Sequence, residues 1–168
     1  YVKPVLSSGH ALICMVGLPR SGKSTWARST GLPVVNRDAI RLALHGERFL
    51  KPAEGLVKEL ALLQVKSLFL AGHKIVIVDE TNTTRARRDF WNTGPWTTYF
   101  RIVFTPMETL LERAKDDPAI IPVIERMDIQ YEQLGPDERM LSEDSSLNKW
   151  VEAMRIKWVE AMRIRTDD

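Results

Sequence analysis

The sequence predicts an α/β three-layer sandwich, in which a parallel sheet of about four strands carries helices on both faces. Two observations indicate this fold class. Short apolar runs alternate with helical patterns along the first two thirds of the chain, and none of these runs shows the polar alternation of a half-exposed strand. Parallel strands need helix-sized connections. Because ligands of such sheets bind beyond the carboxyl ends of the strands, we expect functional residues directly after each strand.

The predicted strands are short runs rich in β-branched or other apolar residues. They cover residues 11–16, 33–35, 74–78 and 99–104. Residues 52–71 form the clearest helical pattern, with a proline suited to the first turn and Gly72 suited to the stop. A chain of 168 residues, of which 44% are hydrophobic and 27% charged, has the size and composition of one globular domain.

Composition and charge argue against several classes of protein. No apolar stretch approaches the roughly 20 residues that span a bilayer, and the first ten residues lack the pattern of a secretory signal, so no membrane partner is expected. Cys14 is the only cysteine and cannot form an internal disulfide, which favours a cytoplasmic location. The net charge of +2 does not by itself indicate a nucleic-acid partner.

Only helical patterns follow the fourth predicted strand. We expect one domain over residues 1–145 that includes a helical lid at about 106–134, and an amphipathic helix over 146–168. That last helix holds the octapeptide KWVEAMRI twice, at 149–156 and 157–164. Because eight residues turn a helix by about 80°, the two copies face different sides. One copy is expected to cover the core, and the other either projects further or packs on a neighbouring chain in a homodimer.

The segment GLPRSGKST, residues 17–25, follows the first predicted strand and begins a helix. Its pattern, G-x-x-x-x-G-K-[ST], is typical of a phosphate-binding loop, whose glycines let backbone N–H groups turn toward phosphates at a helix start. Lys23 is expected to reach the β and γ phosphates of ATP or another NTP, and Ser24 to bind Mg²⁺. A plain glycine turn is the alternative. The predicted nucleotide-binding residues are Gly17, Leu18, Pro19, Arg20, Ser21, Gly22, Lys23, Ser24 and Thr25.

The segment NRDAIR, residues 36–41, follows the second predicted strand and begins a helix for which Asn36 is a candidate N-cap. Asp38 has two possible roles. It either stabilises the positive end of the helix dipole or accepts a proton from an attacking hydroxyl. General-base catalysis of the second kind typically raises a reaction rate by about 10²- to 10⁴-fold. Arg41 lies on the same helix face. It either pairs with Asp38 or binds a substrate phosphate.

The segment DETNTT, residues 79–84, follows the third predicted strand and consists of acids and hydrogen-bonding side chains. Asp79 is the first candidate to support Mg²⁺ at this strand end. Glu80 either takes that task or holds Arg41, and it is also a substrate-binding candidate. Asn82 is a substrate-binding candidate and, like the threonines, an alternative cap for the next helix.

Arg85, Arg87 and Arg88 begin that next helix, against the usual preference for acids at a helix start. They either bind phosphate or nucleic acid, which makes Arg85 and Arg88 substrate-binding candidates, or form a solvated basic face. Arg113 of the lid is a candidate to neutralise charge in phosphoryl transfer, with surface charge pairing as the alternative. The aromatic residues between 90 and 100 either stack bases or pack in the core.

Three segments in order, GLPRSGKSTWA, NRDAIR and VDETNTTRARR, followed by an arginine-bearing lid, resemble the kinase domain of phage-type 5′-hydroxyl polynucleotide kinases, a branch of the P-loop kinases. The resemblance covers about residues 12–134. It implies a P-loop kinase fold and Mg²⁺-dependent transfer of the ATP γ-phosphate to the 5′-hydroxyl end of DNA or RNA, in the cytoplasm or in a phage host's cytoplasm. It implies that Lys23 and Ser24 handle the nucleotide, that Asp38 is the general base, and that Arg41 binds the phosphate beside the terminal nucleoside.

The chain departs from the family pattern at two positions. Glu80 stands where the family has aspartate, and Asp117 stands where the lid usually offers a second arginine, for which Lys115 or the arginines at 85–88 are candidate substitutes. Two further functions stay open. One is a P-loop kinase for a small-molecule hydroxyl, such as that of a nucleoside, metabolite or antibiotic, and the other is a nucleotide-dependent binding protein or slow ATPase.

Overall fold

Four parallel strands form the sheet of the computed structural model, which describes residues 9–166. The strands are β1 (Ala11–Val16), β2 (Val34–Asn36), β3 (Ile75–Asp79) and β4 (Thr97–Ile102), in the order β2-β3-β1-β4. The predicted fold class is confirmed, and each strand begins and ends within two residues of its prediction. The first eight residues of the predicted domain and the last two of the predicted tail helix lie outside the described residues.

Helices connect the strands and cover both faces of the sheet. A 3-10 turn at Lys51–Ala53, which contains Pro52, leads into the third helix. Among the helices of residues 9–166, none is long and apolar enough to cross a membrane. The helices are α1 (Lys23–Ser29), α2 (Arg37–Leu44), α3 (Glu54–Leu70), α4 (Arg85–Asp89), α5 (Met107–Arg113), α6 (Ile121–Ile129) and α7 (Ser146–Thr166).

The central strand β1 divides the core into two layers because successive side chains of a strand point to opposite faces. Leu12, Cys14 and Val16 pack on the side of α3. Ala11, Ile13 and Met15 pack on the other side, with α1 and α7. All six side chains are fully buried, which explains why the strand reads as a continuous apolar run.

The aromatic residues between 90 and 100 belong to this core. Trp91, Trp96 and Phe100 are buried in the layer of α3, and Phe90 packs against them. Tyr99 packs on the opposite layer. Of the two alternatives for these residues, core packing is therefore the one that the structure supports.

The lid is built from α5, a 3-10 turn at Pro118–Ile120 and α6. Leu110, Ala114 and Ile124 form a small buried cluster of its own, and Leu18 packs against that cluster. The lid thus rests directly on the phosphate-binding loop, residues 17–25.

Helix α7 runs through both copies of KWVEAMRI. In the first copy Val151 is fully buried, and Glu152 accepts a hydrogen bond of 3.1 Å from the Trp26 indole on α1. In the second copy Trp158 lies against Gly31, so closely that a Cβ atom at position 31 would fall 2.8 Å from the indole ring. The second copy therefore also lies against the body of the domain.

Replacing Gly31 with alanine should weaken this contact. Gly31 has φ +71°, and so does Gly46 at +77°, but a Cβ atom at Gly46 meets nothing within 4 Å. Both alanine variants carry the cost of left-handed backbone, about 1–2 kcal/mol. Only Gly31→Ala also collides with Trp158, so we expect it to lower the free energy of unfolding more than Gly46→Ala does. Equal losses in urea unfolding would mean that Trp158 does not stabilise the domain.

Candidate active site

The phosphate-binding loop turns sharply between β1 and α1. Arg20 has φ +68° and Gly22, the residue before α1, has φ +100°, both in the left-handed region. A Cβ atom at Gly17 would lie 2.6 Å from the Val103 carbonyl oxygen, and the Gly17 N–H donates to Thr81 O at 2.9 Å. Two of the glycines are thus required by close approach and by backbone conformation, as the motif predicts.

Lys23 is buried in this loop, where its ammonium group donates to the Leu18 carbonyl at 2.7 Å and to the Ser21 hydroxyl at 3.3 Å. Burial lowers its pKa to about 8, and the carboxylates of Asp79 and Asp38 oppose that effect. The two predicted functional carboxylates therefore lie within electrostatic range of Lys23. These three residues come from different strand ends, and the sheet brings them to one edge.

Asp79 ends β3 and pairs in register with Asn36 at the end of β2. Its carboxylate accepts a hydrogen bond of 2.9 Å from the Asn36 side chain, which also caps α2 by accepting from Ala39 N at 3.0 Å. Ser24 lies in the first turn of α1. A hydroxyl and a carboxylate are ligands that Mg²⁺ accepts, and the described residues contain no acid, histidine or cysteine cluster able to hold a metal alone. This donor set fits a Mg²⁺ ion that arrives with a nucleotide, which supplies further oxygen ligands.

Asp38 projects from the first turn of α2, with its side chain 80% exposed. Arg41 donates to it at 2.7 Å, and the same guanidinium makes two hydrogen bonds of 2.7 Å to Glu54 at the start of α3. Arg41 thus pairs with Asp38, one of its two predicted alternatives. Glu54, which no sequence motif marks as a site residue, fixes the arginine in a two-point contact.

Replacing Glu54 with glutamine should destabilise the domain by about 1–3 kcal/mol, because Arg41 is only 15% exposed and loses a charged partner. Arg41 holds the pKa of Glu54 below its usual range. The contribution is therefore present above the usual carboxyl range and is lost as pH falls through the lowered pKa. Urea unfolding at pH 7 and at acidic pH measures this, with the exposed Glu59→Gln on the same helix as control. A wild-type advantage that grows in acid would contradict the assignment.

Glu80 does not hold Arg41, and in this respect the prediction is corrected. Its carboxylate pairs with Arg37 and accepts a hydrogen bond of 3.2 Å from the Trp91 indole. Burial raises the pKa of Glu80. Because its side chain is enclosed by these partners, Glu80 is placed to orient Arg37 rather than to bind a substrate.

Asn82 and Arg88, predicted as substrate ligands, are both fully buried and are corrected to structural residues. The Asn82 side chain donates to Met15 O at 2.9 Å. Arg88 makes two hydrogen bonds to the Glu138 carboxylate, at 2.7 and 3.2 Å, and donates to the carbonyls of residues 82, 132 and 133. Neither side chain can reach a ligand in this conformation.

Arg85 is likewise satisfied by the protein. It donates to Asp137 at 2.6 and 2.9 Å and to Asp89 at 2.7 Å. Carboxylates of the chain itself therefore compensate Arg85 and Arg88, whereas Arg87 donates to the Thr81 hydroxyl at 3.4 Å. The Arg85 side chain is 39% exposed and its partners Asp89 and Asp137 are more exposed still, so its substrate role stays a prediction.

Arg113, at the end of α5, donates to the carbonyl of Arg20 at 2.9 Å and so contacts the phosphate-binding loop from the lid. Lys115, a candidate for the missing lid arginine, instead pairs with Glu112. Asp117 receives hydrogen bonds from the side chains of both Arg20 and Arg48. The lid, the loop and the α2–α3 connection therefore meet at Asp117.

The family model AAA_33, described as an AAA domain, matches residues 12–116. This is more than half of the 168 residues. The chain belongs to the AAA_33 family of AAA domains. The match includes the phosphate-binding loop, Asp38, Arg41 and Asp79, and it ends one residue before Asp117.

Solved structures place this AAA domain among kinase-like P-loop folds. The APS kinase CysC of Mycobacterium tuberculosis, in complex with AMPPNP and APS, is 19% identical, covers 94% of this chain and 99% of its own, and has a TM-score of 0.62. A structure of the Pnkp1/Rnl/Hen1 complex is 30% identical over 67% of this chain, with a TM-score of 0.57. A structure described as the Pnkp1/Rnl/Hen1 RNA repair complex is 22% identical over 81%, with a TM-score of 0.58.

The AAA domain spans 40% and 50% of the two matched chains of the Pnkp1/Rnl/Hen1 complex. The CysC match extends over nearly the whole of both chains. At such identities the CysC likeness establishes the fold. The choice of acceptor has to be argued from the residues of the site.

Proposed function

We propose that this domain transfers the γ-phosphate of ATP to the 5′-hydroxyl end of DNA or RNA. The observation that carries the proposal is the placement of Asp38. Its carboxylate is largely exposed, yet Arg41 holds it at 2.7 Å, and it acts electrostatically on the lysine of the phosphate-binding loop. A nucleotide-binding loop beside a positioned, accessible carboxylate is an arrangement suited to a kinase with a hydroxyl acceptor.

In the proposed reaction the phosphate-binding loop holds the triphosphate, and Lys23 donates from its ammonium group to the β and γ phosphates. Mg²⁺, held with the nucleotide by Ser24 and Asp79, would neutralise phosphate charge. Asp38 accepts the proton of the acceptor hydroxyl. The acceptor oxygen bonds to the γ-phosphorus, and the bond from that phosphorus to the β–γ bridging oxygen breaks, which releases ADP. Arg113 stabilises charge from the lid side.

Two exposed aromatic side chains support a polynucleotide acceptor, each next in sequence to a residue that contacts the lid or approaches the phosphate-binding loop. Phe49, 63% exposed, follows Arg48, which reaches the lid through Asp117. Phe104, 84% exposed, follows Val103, whose carbonyl lies over Gly17. Exposed aromatic faces suit the bases of a single strand, because base stacking contributes about 1–3 kcal/mol per base. The similarity to chains of an RNA repair complex is consistent with this acceptor.

A small-molecule hydroxyl is the second candidate acceptor. The full-length likeness to CysC, whose structure contains the small ligand APS, favours it. The same loop, Lys23 and Asp38 would serve either acceptor. The two proposals differ in which molecule stimulates ADP release.

The deciding experiment is transfer of radiolabel from γ-labelled ATP, with Mg²⁺, to 5′-hydroxyl oligonucleotides of DNA and RNA, to nucleosides and to small alcohols. The proposal expects labelled oligonucleotides, and the same oligonucleotides carrying a 5′-phosphate should stay unlabelled. Labelling of a nucleoside or an alcohol, without labelling of oligonucleotides, would replace the proposal with the small-molecule kinase. Nucleotide binding without any transfer would overturn both.

A further inference from the structure

Helix α3 carries apolar side chains on more than one side. One row packs into the core, where all its members are buried: Val57, Ala61, Val65 and Phe69. A second row lies at the surface, with Leu56 58% exposed, Leu63 57% exposed and Leu70 89% exposed. A surface helix of a globular protein normally shows polar residues to solvent, whereas a helix that is apolar all round is buried all round. The domain therefore leaves one apolar side of α3 uncovered.

The three exposed leucines form a continuous stripe. They are seven residues apart, which is about two turns, so they lie above one another along the helix. Beside the stripe, a groove of about 430 Å³ lies between α3 and the edge strand β2. Four of its lining residues are spaced i, i+3, i+4 and i+7 on α3, like the hole that receives one side chain of a facing helix: Leu60, Leu63, Gln64 and Ser67. This surface thus offers both a projecting leucine and a place for one.

The charges beside the stripe are opposite in sign and nearly symmetric about Leu63. Glu59 lies four residues before Leu63 and Lys66 three residues after it, and both are exposed. They are separated by a rise of about 10.5 Å along the helix, which is too long for an ion pair between them. Within residues 9–166 neither side chain forms an ion pair. A surface that complements this side of α3 therefore has to present a cation and an anion in the same spacing.

A second copy of α3 meets these requirements when it runs antiparallel, with the partner's Leu63 against Leu63. Leu56 then faces the partner's Leu70. Glu59 lies within about 1.5 Å along the axis of the partner's Lys66, the rise of one residue. Two-fold symmetry repeats both contacts, because both molecules use the same patch in such an interface. The leucine stripe and its flanking charges are therefore self-complementary.

We propose that this protein forms a homodimer in which two α3 helices pack antiparallel through the stripe of Leu56, Leu63 and Leu70. The proposal goes beyond the proposed function and is independent of the acceptor. The other candidate surface for a homodimer, α7, is less suited, because its second KWVEAMRI copy already lies against Gly31 through Trp158. A single helix pair is a small interface, so we expect a Kd in about the micromolar range.

The test measures the dimer by sedimentation velocity over a range of protein concentrations. Leu63→Lys places two ammonium groups against each other on the symmetry axis and should raise the Kd by at least about 100-fold, because like charges at an interface strongly oppose binding. Ile164→Lys changes a 69% exposed residue in the second KWVEAMRI copy, and as the matched control it should keep the wild-type Kd. Thermal unfolding at low protein concentration verifies that each variant is folded.

A charge swap tests the antiparallel register. Glu59→Lys places a lysine beside the partner's Lys66 at two symmetric positions and should raise the Kd by about 10- to 30-fold. The double variant Glu59→Lys, Lys66→Glu restores opposite charges and should return the Kd to within about threefold of wild type. Neutral replacement of either residue should change the Kd by only about two- to threefold, because each exposed ion pair contributes little.

This test does not involve phosphoryl transfer, so its failure leaves the proposed kinase activity unaffected. Wild-type protein that stays monomeric up to about 1 mM overturns the dimer. Binding of such a monomer to vesicles of phosphatidylcholine and phosphatidylserine, lost in Leu63→Lys, would assign the stripe to a lipid surface instead. A dimer that survives Leu63→Lys and dissociates in Ile164→Lys overturns α3 as the interface in favour of α7. A double variant as weak as Glu59→Lys overturns the antiparallel register.

Discussion

Replacing Asp38 with asparagine is expected to lower the rate of phosphoryl transfer by about 10²- to 10⁴-fold, the usual contribution of a general base. Asparagine has nearly the same shape and still accepts a hydrogen bond from Arg41, so the contacts of Arg41 with Glu54 should persist. What is lost is the capacity to take up the acceptor proton. Single-turnover transfer of radiolabel to a 5′-hydroxyl oligonucleotide measures the loss directly.

Two controls make this result specific to the base. Affinity for a non-hydrolysable ATP analogue should stay unchanged, because the proposed role of Asp38 is toward the acceptor hydroxyl and not toward the nucleotide. The variant Asp128→Asn changes an exposed aspartate of α6 and should retain full activity. Unchanged turnover in Asp38→Asn would refute the general base and favour a nucleotide-dependent binding protein or slow ATPase, which needs no base for an acceptor hydroxyl.

Lys23→Ala should reduce kcat/KM by about 10²- to 10³-fold, the loss typical of removing one preorganised donor to developing charge. The stability of the fold should change little. Lys23 is buried with a lowered pKa, so removing it also removes the cost of a desolvated charge. The measurements are steady-state kinetics with ATP and the oligonucleotide acceptor, and thermal unfolding.

Lys66→Ala, which alters an exposed lysine of α3, is the matched control and should resemble wild type in both assays. If Lys23→Ala unfolds at a lower temperature than wild type, its loss of kcat/KM could come from the loss of structure. In that case Lys23→Met, which keeps the aliphatic stem, decides between the two explanations. Full activity in a folded Lys23 variant would exclude the lysine from phosphate binding.

The sheet was predictable because the apolar runs that form its strands, and the motifs that end them, are local features of the sequence. The strand β1 is apolar on both faces since both are covered, and the motif residues 17–25 mark where the strand ends. Parallel strands bring their carboxyl ends to one edge, which is why Asp38, Asp79 and Lys23 could be assigned to one site before their positions were known. Asn36 is also the helix cap that its position suggests.

The ionic partners were not predictable, because they depend on side chains that are distant along the chain. Glu54 holds Arg41 across an intervening loop and 3-10 turn, and Asp117 holds Arg48 across 69 positions. The basic run at α4 is typical of a ligand site, yet Arg88 is buried against Glu138 and backbone carbonyls of residues that follow α6. Charge pattern identifies arginines that need an anion, but only the fold decides which anion each one receives.

The buried arginine at position 88 also separates the part of the chain that could move with the lid from the helix α7. It fastens the chain just after α6, at the carbonyls of residues 132 and 133 and at Glu138, while Thr105, just before α5, donates to Ser21 O at 2.9 Å. We expect any movement of α5 and α6 to pivot at these two places, and the helix α7 begins beyond the second one. Opening of the lid should therefore leave the amide exchange of α7 unaltered, so that the duplicated segment acts as a fixed reference against which lid movement can be measured.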